Sequence, residues 1–529
     1  MDTRTLLAIV LSMLVLIAFQ FFFAKTAPPP EAPAPAEKGA QAPAQAPAPA
    51  PAAKAPAAPA LPAPTEMPAV KTIKVETEKY RAEFTTLGAV PQSWTIKEYK
   101  DQKDRTKNVS LLRPASPLPL AVGWGGDWKG AQVNFSVRGE NLTLDKTNPQ
   151  GSIVFEYSDG TAFIRRTYTF YHDSYKIDLR DEVSGLPDYM ITLGPEFGIY
   201  ERDGAGFHTG PVLLSGMKRI EPLKEGFFEK IARTFSGKPK IQQEVYTEDL
   251  KWIAQEDKYF FAGLVSRTKM DEAKAWFEKD NMLLAFRATQ PRVEEFTVYA
   301  GPKDIDRLKQ LGLGLENVVD FGKFSIIARP ILWLLKQIQG LVINWGWAII
   351  ILTIVTRIPF IPLINKGQKS MKKLQALQPR MQELKQKYKK DPQRMQRETM
   401  ELYKKYKVNP MGGCLPILIQ IPVFFALYKV LGIAIELRGA PFALWITDLS
   451  MKDPYYVLPI VMGVTMLLQQ KMTPAAGDPR QQKMMMFMPI IFTFLFLNFA
   501  SGLVLYWLVN NLLSIAQQVW VNKKAKVED

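Results

Sequence analysis

Cysteine and histidine are almost missing from this chain of 529 residues: Cys414 is the single cysteine, and His172 and His208 are the two histidines. One thiol excludes an internal disulfide, and two imidazoles leave little for a zinc site or a Ser-His catalytic pair. No stretch reads GxxxxGK[ST], so no nucleotide-binding loop of that type supplies energy. Internal repeats, which mark many small-molecule transporters, are also wanting. Acidic residues are absent from the run Leu341 to Leu363, LVINWGWAIIILTIVTRIPFIPL, although that run carries Arg357. A charge near a bilayer centre costs about 2.5 to 3.5 kcal/mol on insertion scales, so such residues face a bundle interior or a watery cavity unless they snorkel to an interface. On this run alone both readings stand, because Arg357 lies only six residues, roughly 9 Å, before Leu363.

The rest of the chain divides sharply. Leu6 to Ala24 is an apolar stretch of 19 residues, crowded at its end by Phe21, Phe22, Phe23 and Lys25. A signal peptide has a shorter apolar region closed by small residues, so residues 1–25 read as an uncleaved transmembrane anchor. Residues 26–69, rich in Pro and Ala, cannot bury apolar surface and read as an extended, mobile linker. Residues 70–316 alternate in short strands: Ile153 to Tyr157, the turn Ser158-Asp159-Gly160 and Ala162 to Phe170 predict a hairpin, and Ile177 and Leu179 continue it. The expectation is one large, antiparallel, all-β domain of two packed sheets outside the bilayer. His208, in GAGFHTG, reads as a loop residue. Residues 317–340 are apolar in clusters broken by Lys323, Arg329, Pro330 and Lys336, which predicts an amphipathic interfacial helix or, alternatively, a buried helix of the β domain.

Five apolar segments follow: Leu341 to Leu363, Leu415 to Leu437, Tyr455 to Gln470, Met485 to Phe499 and Leu503 to Val521. With the anchor they predict a polytopic α-helical membrane protein of six transmembrane helices, the first of the five within residues 341–364 and the others within 414–521. Several are short, implying tilt or local thinning. The net charge of +16 is concentrated in residues 365–413, where fourteen Lys or Arg face four acids, a net of +10. Positive loops stay inside, so this loop, the tail 522–529 and both termini are expected in the cytoplasm and the β domain outside. Leu374, Leu377, Met381, Leu384 and Tyr388, then Asp391-Pro392, then Met395, Leu402 and Tyr406 predict an antiparallel helical hairpin. Its basic surface is either a solvated face or a docking surface for rRNA phosphates, anionic lipid heads or an acidic partner.

Polar residues recur inside the apolar segments. Asn510, Ser514 and Gln517 fall at i, i+4 and i+7 and share a helix face; Thr353 shares the face of Arg357; Gln420 interrupts the next run. They are either interhelical hydrogen-bonding groups or the lining of a recess. With the orientation above, Arg357, Gln420, Ser514, Gln517 and Gln518 crowd the cytoplasmic half, which favours a recess open to the cytoplasm and closed outside. Lys429, with Glu436 or the outer end of its helix as partner, reads as a snorkelling residue.

Three long stretches carry a resemblance: NPMGGCLPILIQIPVFFALY, ELRGAPFALWITDLSMKDPYYVLPIVMGVTMLLQQKMTP and FMPIIFTFLFLNFASGLVLYW. In their order and in the segments around them, the chain resembles the YidC, Oxa and Alb family of membrane protein insertases, in its Gram-negative bacterial branch. The resemblance implies a supersandwich-like periplasmic domain, a five-helix insertase core in the inner membrane, and no enzymatic chemistry, metal or cofactor. It implies a hydrophilic groove at Arg357, Thr353, Gln420, Asn510, Ser514 and Gln517, and a slide for the client helix at Ile421, Pro422, Phe424, Ile490, Leu495, Tyr506 and Trp507. Nascent membrane proteins are the implied clients, with the ribosome, the Sec translocon and anionic lipids as partners; Lys372, Lys373, Arg380, Lys385 and Lys389 are the implied docking residues of the hairpin. Two positions depart from the family: Trp507 stands where relatives such as the enterobacterial protein carry Tyr, and Lys429 where many carry an aromatic residue. A transporter or channel is the rival reading; an intramembrane hydrolase would need a base, and no histidine follows His208.

Overall fold

The computed structural model describes residues 69–102, 104–201, 207–224, 242–278, 281–389, 391–406, 408, 415–472 and 479–527. The expected anchor over 1–25 and all but the last residue of the linker lie outside the described residues.

Strands run from Thr72 to Pro302. The expected hairpin is present: Gln150–Ser158 pairs antiparallel with Phe163–Tyr171, placing Tyr157 opposite Ile164, and Gly160 takes a φ of 86° in the turn. Asp159 fixes that turn by accepting from the backbone N–H of Thr161 and Ala162 at 2.8 and 2.7 Å. The bond from Ala162, then those from Thr161, hold its carboxyl down at about 2. Lys176–Ser184 extends the ladder, with Leu179 opposite Tyr168.

The expectation of two sheets is corrected, since the described strands form three, of five, nine and five. Both smaller sheets cover one face of the nine-stranded sheet. Phe84 of one meets Tyr168 at 5.0 Å between ring centroids, and Tyr189 of the other donates to Asp181 at 2.6 Å. Tyr168 and Asp181 point to the same side, because Leu179 pairs with Tyr168 and lies two residues before Asp181. A nine-stranded face is wider than one five-stranded sheet covers. Between the layers Arg166 and Asp181 form a fully buried bidentate pair at 3.0 and 3.1 Å, made tolerable by further bonds from Arg166 to Leu120 O and from Tyr189 to Asp181.

A short helix α1 (Ile305–Gln310) leads to α2 (Ser325–Val342), which starts later than the interfacial helix expected over 317–340. It buries Ala328, Ile331, Leu332, Leu335 and Ile338 along one stripe and exposes Ile326 and Trp333. The run Leu341 to Leu363 is not a single helix, as expected, but is cut near its start. Ile343 adopts a φ of 62° and ends α2, and the side chain of Asn344 accepts from the N–H of Gly346 and Trp347 at 2.8 and 3.2 Å, opening α3 (Trp345–Arg357). A tighter turn at Ile358–Phe360, holding Pro359, passes into α4 (Ile361–Ala376). Among the described residues, Trp345–Leu374 is the one helix long and apolar enough to cross a membrane, while Gln420–Ile433, Val457–Met472 and Met486–Phe496 are shorter apolar stretches.

The arms α5 (Gln378–Lys387) and α6 (Pro392–Lys405) form the expected hairpin. The hydroxyl of Tyr403 reaches Met381 Sδ at 3.3 Å, Arg380 lies 5.0 Å over the Tyr406 ring, and Asp391 caps α6 by accepting from Arg394 N at 3.0 Å. The remaining helices are α7 (Leu415–Ile433), α8 (Val457–Met472), α9 (Pro479–Phe496) and α10 (Ser501–Val527).

Contacts join the β domain to this core. Lys336 of α2 bridges Asp306 at 2.7 Å and Glu436 at 2.5 Å, and Arg438 lies over the rings of Tyr200 and Phe260 at 5.3 and 5.2 Å. Glu436, expected as a partner for Lys429, is therefore engaged by Lys336.

Candidate functional site

Helix α10 carries a polar stripe at the spacing of its own turns, and the stripe meets Arg357 at the end of α3. The guanidinium donates from Nη1 to Asn510 O at 3.1 Å and to Asn510 Oδ1, and from Nη2 to Ser514 Oγ at 2.9 Å and Gln517 Oε1 at 3.1 Å. Gln517 in turn donates to Asn365 Oδ1 of α4 at 2.8 Å, and Ser514 to Asn510 O at 2.9 Å. A charge in low dielectric needs its donors satisfied, and this fork satisfies two of the guanidinium nitrogens with acceptors from three consecutive turns of one helix.

Beside Arg357 lies a cavity of ≈ 450 Å³, including its open part, lined by Thr353, Thr356, Phe360, Leu363, Ile364, Gln420, Val423, Tyr506 and Asn510. Gln420 of α7 and Tyr506 of α10 both line it. Thr353 Oγ1 donates to Ile349 O at 2.7 Å, so its hydroxyl is satisfied within its own helix. The six expected groove residues thus come together around one space, except that Ser514 and Gln517 touch it through Arg357.

The other polar residues of the bundle turn away. Asn511 donates to Thr465 Oγ1 at 3.3 Å, and Gln518 to Met472 O at 2.7 Å, tying α10 to α8. Ties between helices are thus made by one face of α10 and the contacts to Arg357 by a neighbouring face about a quarter-turn away.

The expected slide residues divide. Phe424 of α7 packs edge-on against Trp507 at 4.8 Å, and Trp507 lies against Phe492 and Phe496 of α9 at 6.1 and 5.3 Å. Leu495 packs against the core, whereas Ile490 is 44% exposed. Ile421 and Pro422 are half-buried on α7. Tyr506, expected on the slide, instead faces the recess and is 3% exposed. Tyr506, four residues before Asn510, continues the stripe of residues 510, 514 and 517. Extending the stripe of Thr353 and Arg357 by the same spacing would have found Phe360 and Ile364 too. Asn365 carried no such signal.

On the hairpin, Lys373, Arg380 and Lys389 are exposed, Lys372 reaches Val521 O of α10 at 3.5 Å, and the side chain of Lys385 lies outside the described residues. Lys429 holds its ammonium 4.8 Å from the ring of Phe207, a residue of the β domain.

Two family descriptions cover most of the chain: the YidC periplasmic domain over residues 72–334 and the 60Kd inner membrane protein family over residues 337–528. The chain is 39% identical to the "Membrane protein insertase YidC" of Geobacter metallireducens over 493 residues, 88% of this chain and 89% of that one. It is 41% identical to the protein of the same description from Syntrophus aciditrophicus over 479 residues, covering 86% and 85%. For that of Pelobacter propionicus the identity is 37% over 567 residues and 99% of both chains. Among solved structures, one described as an active YidC insertase crystal structure with the first transmembrane domain resolved aligns over 84% of this chain and 92% of its own, at 20% identity and a TM-score of 0.38. With both domains matched in order and relatives of about 40% identity along most of its length, the chain belongs to the YidC family of inner-membrane protein insertases.

Proposed function

We propose that a polar segment of a nascent membrane protein enters the recess at Arg357 from the cytoplasm while the client's apolar helix moves along Phe424, Trp507 and α9 into lipid. The observation that carries this reading is the fork of Arg357, whose acceptors Asn510, Ser514 and Gln517 are all neutral. Neutral acceptors orient the guanidinium without cancelling its charge, so an entering carboxylate gains a charge-assisted hydrogen bond. The recess replaces part of the client's lost hydration, and burial of about 20 apolar residues in lipid supplies the driving force.

Depth supports this placement. Trp347 is 54% exposed near one end of α3, and Trp520 is 56% exposed toward the other end of α10, as expected of residues at the two membrane interfaces. Ser501 to Trp520 spans nineteen residues, about 28 Å, close to the hydrocarbon thickness. Arg357 lies ten residues from Trp347, about 15 Å, which is near the middle. On this reading α3 with α4, α7, α8, α9 and α10 are five spans, residues 1–25 a sixth, both termini and the basic hairpin are cytoplasmic, and α2 lies along the outer interface. The hairpin, with Lys372, Lys373, Arg380, Lys385 and Lys389, docks the ribosome or anionic lipid heads, and the chain works alone or beside the Sec translocon.

The cavity, ≈ 450 Å³ with its open part included, is small beside a polypeptide segment, so client entry requires the recess to widen. Photocrosslinking from positions 353, 357, 424 and 495 to a stalled nascent chain tests the reading: polar client residues should be captured from 353 and 357 and apolar ones from 424 and 495. Capture from none of the four would overturn it.

A further inference from the structure

Of the three side chains that accept from Arg357, Gln517 alone also reaches a third helix among the described residues. Its Oε1 accepts from Nη2 at 3.1 Å while its Nε2 donates to Asn365 Oδ1 of α4 at 2.8 Å. The charge at the end of α3 is thereby joined to a wall of the recess, since Leu363 and Ile364, immediately before Asn365, line the cavity. Seven residues on, α4 meets α10 again through a long bond, 3.5 Å from Lys372 to Val521 O. Between these two points Gln368 Oε1 is buried without a hydrogen-bond partner among the described residues. A buried acceptor left unmade costs free energy that opening the seat returns, so the closed wall is held against an opposing cost.

The guanidinium shows how that tie comes undone. Its four bonds to α10 take both Nη groups and leave Nε–H without an acceptor among the described residues. A carboxylate takes two parallel N–H bonds from a guanidinium, and the pair that includes Nε–H is completed by Nη2, the nitrogen Ser514 and Gln517 share. Ser514 is short and braced by its own bond to Asn510 O at 2.9 Å, whereas Gln517 makes the longer bond from a long side chain. An ionised acceptor adds Coulomb attraction that an amide lacks, so the carboxylate takes the place of Gln517. Chains of hydrogen bonds polarise one another, and losing the guanidinium weakens what Gln517 still gives to Asn365.

We propose that Gln517 is a positioning residue that latches α4 over the recess and is released when a client carboxylate takes its place on Arg357 Nη2. Acidic segments then unlock the space they enter, while neutral ones must break the tie unaided. The inference rests on the reading that client carboxylates reach Arg357, and it adds that the cation acts on the wall of the recess as well as on the client.

The test uses the full chain in proteoliposomes and two clients whose translocated tails differ only in Asp and Glu against Asn and Gln. N365A keeps Gln517 on Arg357 but removes its hold on α4. The neutral client should then enter about threefold faster, the worth of an average hydrogen bond between membrane helices, with the acidic client little changed. Q517A should speed the neutral client likewise. A bond that merely holds the bundle together predicts the opposite sign, slower entry of both. Spin labels at positions 369 and 519, exposed on α4 and α10, in a chain carrying Cys414→Ser, read the wall directly. Their separation should be longer with the acidic client bound than with the neutral one, and in N365A longer with either. Slower or unchanged entry of the neutral client in both variants, or a separation in the chain with Asn365 and Gln517 intact that ignores the tail, overturns this inference and leaves the recess standing. Equal entry of the two clients in that intact chain overturns the role of Arg357 toward carboxylates, and this inference with it.

Discussion

Replacing Arg357 by alanine removes four hydrogen bonds to α10, and two consequences with different client dependence follow. The first is mechanical. Hydrogen bonds between membrane helices average about 0.6 kcal/mol and reach about 1.7, so losing four loosens α3 from α10 by roughly 2 to 3 kcal/mol for every client alike. The second is electrostatic and belongs to acidic clients only. A hydrogen bond to a charged group is worth about 1.5 to 3 kcal/mol net, and 1.4 kcal/mol is a factor of ten. Arg357→Ala should therefore slow a client with an acidic translocated tail at least about tenfold more than the same client with its Asp and Glu changed to Asn and Gln. Arg357→Lys keeps the charge but has no planar fork to span Ser514 and Gln517, so it should retain the preference for acidic tails and much of the function, while sharing part of the mechanical loss. Protease protection of the paired clients, after depletion of the native protein, measures both. Equal slowing of both clients by alanine, or loss of the acid preference with lysine, refutes the electrostatic half of the reasoning.

Phe424→Asp puts a charge among Trp507, Phe492 and Phe496 and should impair insertion of most clients more than Arg357→Ala does, as read by the same protection assay; milder loss would place the slide elsewhere. Gly463→Ala drives a Cβ to 2.1 Å from Thr493 Oγ1 across α8 and α9, and overpacking of this kind costs about 1 to 3 kcal/mol, visible as a lower melting temperature in detergent. Adding Thr493→Ala should recover most of it, and no recovery would show that the strain lies elsewhere. Asp159 is held down at about 2, so its folded-state value lies below the unfolded one; its contribution is present above pH about 4 and is lost as pH falls toward 2. Amide exchange of Thr161 and Ala162 in the full chain should rise over that window relative to the domain core, and Asp159→Asn should remove the rise.

Legibility followed the range of the interactions. The hairpin through Gly160 was readable because an Asp-Gly turn and strict alternation are local. The split of the β domain into three sheets was not, because alternation marks the buried side of a strand and says nothing of which distant strand it joins. Asn344 was overlooked as a cap because it sits in an apolar run, and only the positive φ of Ile343 before it reveals the break. In the recess, the stripe Asn510, Ser514, Gln517 was visible from spacing, and Tyr506 belonged to it by the same arithmetic. That Arg357 meets this stripe depends on how α3 crosses α10, a tertiary fact with no local trace. The partner of Lys429 left no local trace for a like reason, its ring lying more than two hundred residues earlier in the chain.

The tight turn after Arg357 divides the lining of the recess between two stretches of one rod. Pro359 and Pro362 lack the N–H groups that would tie them back one turn, so the helical rod from Trp345 is weakest just past the charge. Above that joint, α3 is wedged by Ala348, Ile349 and Leu352 in the common core, and it bears Thr353, Thr356 and Arg357. Below it, α4 bears Leu363 and Ile364 and runs toward the basic hairpin, with Phe360 in the joint itself. On the reading proposed above, a swing of the hairpin by some 10° about this joint would carry Ile364, about 6 to 9 Å away, through roughly 1 to 1.5 Å, and with it Asn365, which accepts from Gln517 of the fork. On that reading, opening the doorway and keeping the cation aimed would fall to two halves of one continuous rod, coupled through the bond between Gln517 and Asn365.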